Sequence, residues 1–497
     1  MRRFRPLLAL LLAPALTGCF AQAGGSDAPT GDTGADSRLR VALAFPPAEH
    51  LSPYGDDATI LSRLGVTESL TALDANGAAA PALATSWRRE NDRTWLFTLH
   101  QATFQNGTAV TASAVAASLT HATEAEPAPA ALSGVTLKAQ AEGSAGVRVT
   151  TKTPDPVLPL RLSSPSLAIL AEQAYGPHGA ADPIGTATGP FEIRKLTGTT
   201  SATLDRYDDY WGGRAQSAGI DVRFIADGTA RAAALRTGQV DLAEAIPVAQ
   251  AASLARATRR ETATTRTTSL LLNTESGPFK DAGLRAAARR AVDTSALADG
   301  VYEGHADAGE GIYGPAVTWA AGHRKRPIGR ARPTAPHGER ITLATYDNRP
   351  ELPETAEVLK QQLEKAGFKV SLVVREYSRL ESDALDGKFD AFVLARNTMV
   401  DTGDPVAVLA SDFTCDGGYN VAQLCDKDVD RAVAKAESIS DTERRRDAAM
   451  AAEAEILGTD AVVPLVHQRV ITGVATSVRG ALLDPYERTL VGTGTRR

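Results

Sequence analysis

Few side chains in this chain have a type and spacing that could do chemistry. Cys415 and Cys425 bracket Asp416-Gly417-Gly418-Tyr419-Asn420-Val421-Ala422-Gln423-Leu424, which is not the Cys-x-x-Cys of redox catalysts. The segment Asp401-Thr402-Gly403-Asp404-Pro405 holds two carboxylates with different prospects. Asp404, ahead of Pro405 and the apolar run Val406 to Leu409, reads as a helix N-cap with proline at the first helical position. Asp401 has no such local employment. A ligand carboxylate would need a cation, and a planar guanidinium suits it. Arg349 and Arg396, near expected strand ends, are candidates, with an exposed surface as the plain alternative. The eight histidines are scattered without metal-ligand spacing, and His467 on an apolar strand reads as a core residue. Gly-x-Ser-x-Gly, Walker A, His-Glu-x-x-His and a helix-opening Gly-x-Gly-x-x-Gly are all absent, so the chain reads as a non-enzyme without cofactor. An exported hydrolase with dispersed catalytic residues stays open as the reading of another class.

The elements that would position these residues alternate between short strands and amphipathic helices, an α/β texture. Strands are expected at Leu39–Leu43, Trp95–Leu99, Val147–Thr151, Ile341–Tyr346, Lys369–Val374, Phe389–Ala395 and Val462–Val466. Asn106-Gly107 marks a turn, and Thr111 caps a helix running to about His121. Thr355–Ala366 reads as a helix closed by Gly367, with shorter helices near Ser378–Leu385 and Glu443–Leu457. Strand–helix–strand order after Ile341 implies parallel pairing. Ala321 to Glu339, rich in Arg, Pro and His, reads as an exposed loop; an anion-binding patch is the alternative.

Length and charge narrow the class. A chain of 497 residues exceeds one core and suggests about three domains. The first twenty residues, MRRFRPLLALLLAPALTGCF, place three arginines before an apolar run, Leu7 to Leu16, too short to span a bilayer. They read as a secretory signal, exported by the Sec route, at residues 1–18. Leu16-Thr17-Gly18-Cys19 resembles the bacterial lipobox, which makes Cys19 the lipidated first residue of the mature chain. Removal of Arg2, Arg3 and Arg5 takes 53 basic residues to 50 against 59 acidic, a net −9, which argues against nucleic-acid binding. Ala21 to Ser37 lacks large apolar residues and reads as a tether with a reach of roughly 20–25 Å. In an exported protein with Cys19 lipidated, Cys415 and Cys425 are expected to pair.

Several segments together resemble the family 5 solute-binding proteins, the dipeptide, oligopeptide and nickel receptors of ABC importers. They are Glu68-Ser69-Leu70 with Asp74; Pro81-Ala82-Leu83-Ala84 with Trp87; Phe104-Gln105-Asn106-Gly107; Thr188-Gly189-Pro190-Phe191; Tyr210-Trp211-Gly212-Gly213; and Leu272-Asn273 with Pro278-Phe279 and Arg285 to Asp293. The resemblance implies a two-lobed, periplasmic-binding-protein-like fold of type II, cluster C, with an inserted subdomain. Lobe I would be 38–68, 185–275 and 468–497, the inserted subdomain 69–184 and lobe II 276–467, after the lipidated Cys19 and tether at 19–37. It implies a ligand enclosed between lobes: a short peptide, or alternatively a nickel or metallophore chelate, which needs few direct protein ligands. Asp401 would meet the peptide's α-ammonium, and Tyr54 would line the cleft from lobe I. Relatives carry a similar cysteine-bounded loop. Many have a tryptophan where Asn397, Thr398 and Met399 stand here. Expected partners are an ABC permease and its ATPase, with the monomer held by lipid at the extracytoplasmic membrane face. A peptide sensor that signals without importing is the remaining alternative.

Overall fold

The computed structural model describes residues 37–48, 50–126, 128–132, 134–176 and 181–497. The signal segment, Cys19 and most of the tether lie outside the described residues. In chain order the strands are β1 (Arg38–Leu43), β2 (Thr71–Leu73), β3 (Ala79–Pro81), β4 (Ala84–Asn91), β5 (Thr94–Leu99), β6 (Leu137–Glu142), β7 (Gly146–Thr151), β8 (Phe191–Thr197), β9 (Ser201–Arg206), β10 (Gly219–Phe224), β11 (Leu242–Ala243), β12 (Arg259–Leu272), β13 (Ala306–Ala308), β14 (Arg340–Tyr346), β15 (Lys369–Arg375), β16 (Ala391–Asn397) and β17 (Val462–Val474).

One sheet runs β15-β14-β16-β12-β17-β11-β1-β10-β9-β8, with β13 attached to β17. Pairing is parallel for β1 with β10 and β11, and for β14 with β15 and β16. Strand β16, Ala-Phe-Val-Leu-Ala-Arg-Asn, is buried at every position but Arg396, as a strand covered on both faces must be. A second sheet, β4-β5-β7-β6, packs the helix Ala112–Glu124 around Phe97, Phe104 and Val147. Thr111 caps that helix as expected, its Oγ1 accepting from the Ala114 amide.

Among the described residues the buried apolar side chains form three cores. One lies under β1, β8–β10 and Phe191, one in the small sheet, and the largest under β12, β14, β16 and the helix Glu351–Ala366. The long strands β12 and β17 join the first to the last. Arg259–Ala263 pair with Arg469–Gly473, the register then slips, and Thr267–Leu271 pair with Val462–His467. At the slip Thr265 turns its amide to the Pro485 carbonyl and Arg266 reaches Glu487.

Two elements run longer than the pattern predicts. The helix expected from Thr355 begins at Glu351, because Pro353 lies in the first turn, where no intrahelical amide is required. Strand β17 continues through His467, Gln468 and Arg469 to Val474, its polar middle being the point where it changes neighbours.

Candidate functional site

The chain leaves β1 and β14 at facing ends: Phe45, just after β1, lies under the Arg349 guanidinium, 5.7 Å from its ring centre. Ligands of open α/β sheets collect beyond the carboxyl ends of the strands. A recess of about 530 Å³, solvent-open part included, is lined there by Phe45, Arg63, Glu244, Arg349, Glu487 and Thr489 among others.

Its charges are ordered from the ends of several elements. Arg63, the last residue of the helix Asp57–Arg63, donates to Glu244 at 2.9 Å and to Glu487 at 3.2 Å. Arg266 meets both oxygens of Glu487 at 3.1 Å, a bidentate pair. Glu487 is presented by a turn in which the Asp484 carboxylate accepts from the amides of Tyr486, Arg488 and Thr489. Burial pushes the Glu487 carboxyl up, but Arg266, Arg63 and Arg349 overrule it and hold it down at about 2. The Arg349 guanidinium makes no hydrogen bond or ion pair among the described residues, its ring contact being with Phe45. Burial lowers its guanidinium, and Arg266 adds to that. Glu244 and Glu487 are taken by Arg63 and Arg266, Asp484 accepts from backbone amides, and the guanidinium left without an ion pair is that of Arg349.

Asp401 and Arg396 meet beyond the end of β16. The Arg396 guanidinium donates to Asp412 at 3.0 Å and to Asp401 at 3.3 Å, and lies 4.7 Å from the centre of the Tyr419 ring. Tyr419 belongs to the loop closed by the Cys415–Cys425 disulfide. Its hydroxyl bonds that of Tyr377, which also donates to Glu381 at 2.9 Å. Asp401 is about one-third exposed and Asp412 buried. From the other side, the Asp56 carboxyl is raised by burial and by the charges of Glu381, Asp57 and Asp401, with Arg396 opposing. A second recess, of about 400 Å³, opens beneath Arg396 between Leu394, Val408, Phe413 and Tyr419. Arg488 fixes the chain just before Asp401 by donating to the Met399 and Val400 carbonyls and to Ser163.

Arg396 is thus already paired, whereas Arg349 is free. Tyr54 packs on the core of the small sheet with its hydroxyl shut from solvent, and among the described residues no hydrogen bond or ring contact links it to Asp401, Arg349 or Arg396. Asp404 differs from its expected role. It occupies the N-cap position before Pro405, yet its side chain makes no cap bond and instead accepts from Nε and Nη2 of buried Arg445, at 2.8 and 2.5 Å. A full guanidinium outbids an exposed-type cap once both groups are buried. His467 is buried as expected, Nδ1 beside Thr267 Oγ1 at 3.0 Å, with Nε2 unpartnered.

Sequence reasoning missed Arg63, Glu244, Arg266 and Glu487, which lie far apart in the chain and carry no local motif. The segments that did stand out meet elsewhere. Gln105 donates to the carbonyls of Val66, Gly189 and Phe191. Glu68 accepts from Tyr210 at 2.7 Å and Trp211 at 3.0 Å. A Cβ on Gly189 would sit 2.3 Å from the Gly65 carbonyl oxygen. These contacts weld the small sheet to the first core.

Residues 78–420 match the model of the bacterial extracellular solute-binding proteins, family 5 Middle. The nickel-binding protein NikA of Staphylococcus aureus is 25% identical over 425 residues, covering 82% of this chain and 84% of that one. The glutathione-binding protein GsiB of Salmonella typhi is 24% identical over 466 residues, 88% of this chain and 90% of that one. A dipeptide-binding protein from Pseudoalteromonas in complex with Met-Leu superposes with a TM-score of 0.80 at 18% identity, covering 93% of this chain and all of that one. The fold is that of type II periplasmic binding proteins, and the relatives are binding proteins, not enzymes. The chain belongs to family 5 of the bacterial extracellular solute-binding proteins, the extracytoplasmic substrate-binding components of ABC importers.

Proposed function

We propose that this receptor captures a short, zwitterionic peptide between its lobes and hands it unaltered to an ABC permease driven by its ATPase. The observation that carries the reading is the Arg349 guanidinium, without an ion pair among the described residues, set in a recess where Arg63 is held by Glu244 and Glu487 and where Arg266 shares Glu487. It suits the peptide's terminal carboxylate. Asp401 takes the α-ammonium, displacing the weaker of the two Arg396 contacts and leaving Arg396 on Asp412. Lobe I (38–68, 185–275, 468–497) and lobe II (276–467) close around the guest by bending at the register slip of β12 and β17, while 69–184 forms the inserted subdomain. Cys19 carries lipid, and the chain works as a monomer tethered at the membrane face. Tyr54 lies at the lobe I side of the cleft.

The relatives support peptide and nickel cargo alike: one is named for glutathione, one for nickel, and a structural neighbour holds Met-Leu. The acid set at Asp401, Asp56 and Glu381 favours peptide. A chelate that commits its amino nitrogens to the metal brings no free ammonium for them. Calorimetry with a dipeptide, its N-acetyl form, its C-terminal amide and nickel–histidine mixtures tests this. The free dipeptide should bind, and each blocked form should lose at least about tenfold. Equal binding of the amide would remove Arg349 from the site, and binding of nickel–histidine alone would select the chelate reading.

A further inference from the structure

We propose that the strap between His323 and Arg340 is a membrane-facing surface that binds anionic phospholipid headgroups. The strap has no regular structure after the short helix Ala320–His323, yet it is fixed along its length. Arg324 donates to the Tyr313 carbonyl at 3.0 Å, and Lys325 pairs with Asp447 at 2.5 Å. Arg330 pairs with Asp460 and donates to the Leu457 carbonyl, both at 3.3 Å, and the Thr334 amide bonds Gly283 at 3.0 Å. Between these anchors Pro327-Ile328-Gly329 forms a tip, with Gly329 at φ 76°, a conformation glycine adopts without cost. The Ile328 carbonyl packs on Gly458, where a Cβ would approach to 2.3 Å.

What the fixed strap displays is unusual for this chain. Ile328 is 64% exposed, the most exposed large hydrophobic among the described residues. Arg326 and Arg332, on either side of it, are exposed, as is Arg290 on the adjoining helix Ala282–Ala291. None of these three has an ion-pair partner among the described residues. The nearby acids Asp447 and Asp460 are occupied by Lys325, Arg289 and Arg330, and Glu339 caps the His337 amide at 2.5 Å. An apolar tip ringed by unneutralised arginines, on a chain whose net charge is −6, is complementary to a surface that is anionic outside and apolar just beneath. An acidic protein face would satisfy the arginines but give Ile328 nothing, which favours the bilayer. The inference extends the lipid-anchor proposal: the anchor holds the body near the membrane, and the strap decides which face turns toward it.

The test uses the chain begun at Phe20, which carries no lipid, and co-sedimentation with vesicles. Binding is expected to phosphatidylglycerol-containing vesicles and not to pure phosphatidylcholine, and to fade at about 0.5 M salt. Neutralising Arg326→Gln with Arg332→Gln should lower partitioning roughly 25-fold. Ile328→Asp should lower it as well, while Arg88→Gln on the small sheet should not. Unchanged melting temperatures will show that the variants fold. Equal binding to both vesicle types, or a double variant that binds like its parent, overturns the proposal. So does a strap variant that keeps vesicle binding while impairing uptake, which would move the surface to the permease. Any of these leaves the solute-binding reading standing.

Discussion

Substituting Glu487→Gln should cost a defined amount of stability with a defined pH dependence. In the folded chain the Glu487 carboxyl sits at about 2, because Arg266 and Arg63 hold it from two elements and Arg349 adds its field, together outweighing burial. The ordinary glutamate value is 4.5, so the displacement, at about 1.4 kcal/mol per unit, corresponds to roughly 3 kcal/mol. A depressed carboxylate contributes its full stability above the unfolded value, and that contribution drains away as pH falls through about 4.5 toward 2. Glutamine keeps the shape and removes the charge, leaving Arg266 without its bidentate partner, while Arg63 keeps Glu244 at 2.9 Å. Urea unfolding of parent and variant across a pH series reads the difference. A gap of about 3 kcal/mol at pH 7 that narrows below pH 4.5 is expected. A gap under about 1 kcal/mol at pH 7, or one indifferent to pH, would refute the reasoning.

Three further outcomes are expected. Asp401→Asn should weaken peptide binding at least about tenfold by calorimetry and leave the unliganded melting temperature nearly unchanged, since its Arg396 contact is the partly exposed one. Burial holds the His467 imidazole at about 4, with Arg324 adding to the effect. Its neutral form is therefore paid for only below the unfolded value of 6.5, and stability should fall by up to about 3 kcal/mol as pH drops from 6.5 toward 4, a slope that His467→Asn abolishes in thermal melts. Replacing Cys415 and Cys425 together with alanine should cost about 3 kcal/mol in denaturant unfolding under oxidising conditions, through the entropy of the opened loop.

The local elements were legible wherever one physical signal dominated. Thr111 as a cap, Gly367 as a left-handed terminator and the alternation after Ile341 all read correctly, because each depends on neighbours within a few residues. The family was legible for a different reason. Its recurrent segments are the joints of the scaffold: Gln105 binding three carbonyls, Glu68 gripping Tyr210 and Trp211, Gly189 pressed on Gly65. Such joints tolerate little change and say nothing about cargo. The charges around this recess were mostly hidden, since Arg63, Glu244, Arg266, Arg349 and Glu487 come from five separate stretches and converge only through the sheet. Strand β12 went unread because its Thr-rich, arginine-bearing middle lacks alternation, and it is there that the ladder slips. Asp404 looked like a cap from its neighbours, but Arg445, forty-one positions on, took it.

The central claim is most directly tested by small-angle scattering on the chain with and without a free dipeptide. Two lobes that shut on a zwitterion through Asp401 and Arg349 predict a smaller radius of gyration with the dipeptide, and none of that contraction with its C-terminal amide. Superimposable profiles for free and dipeptide-saturated protein, or equal contraction with the amide, would contradict the account.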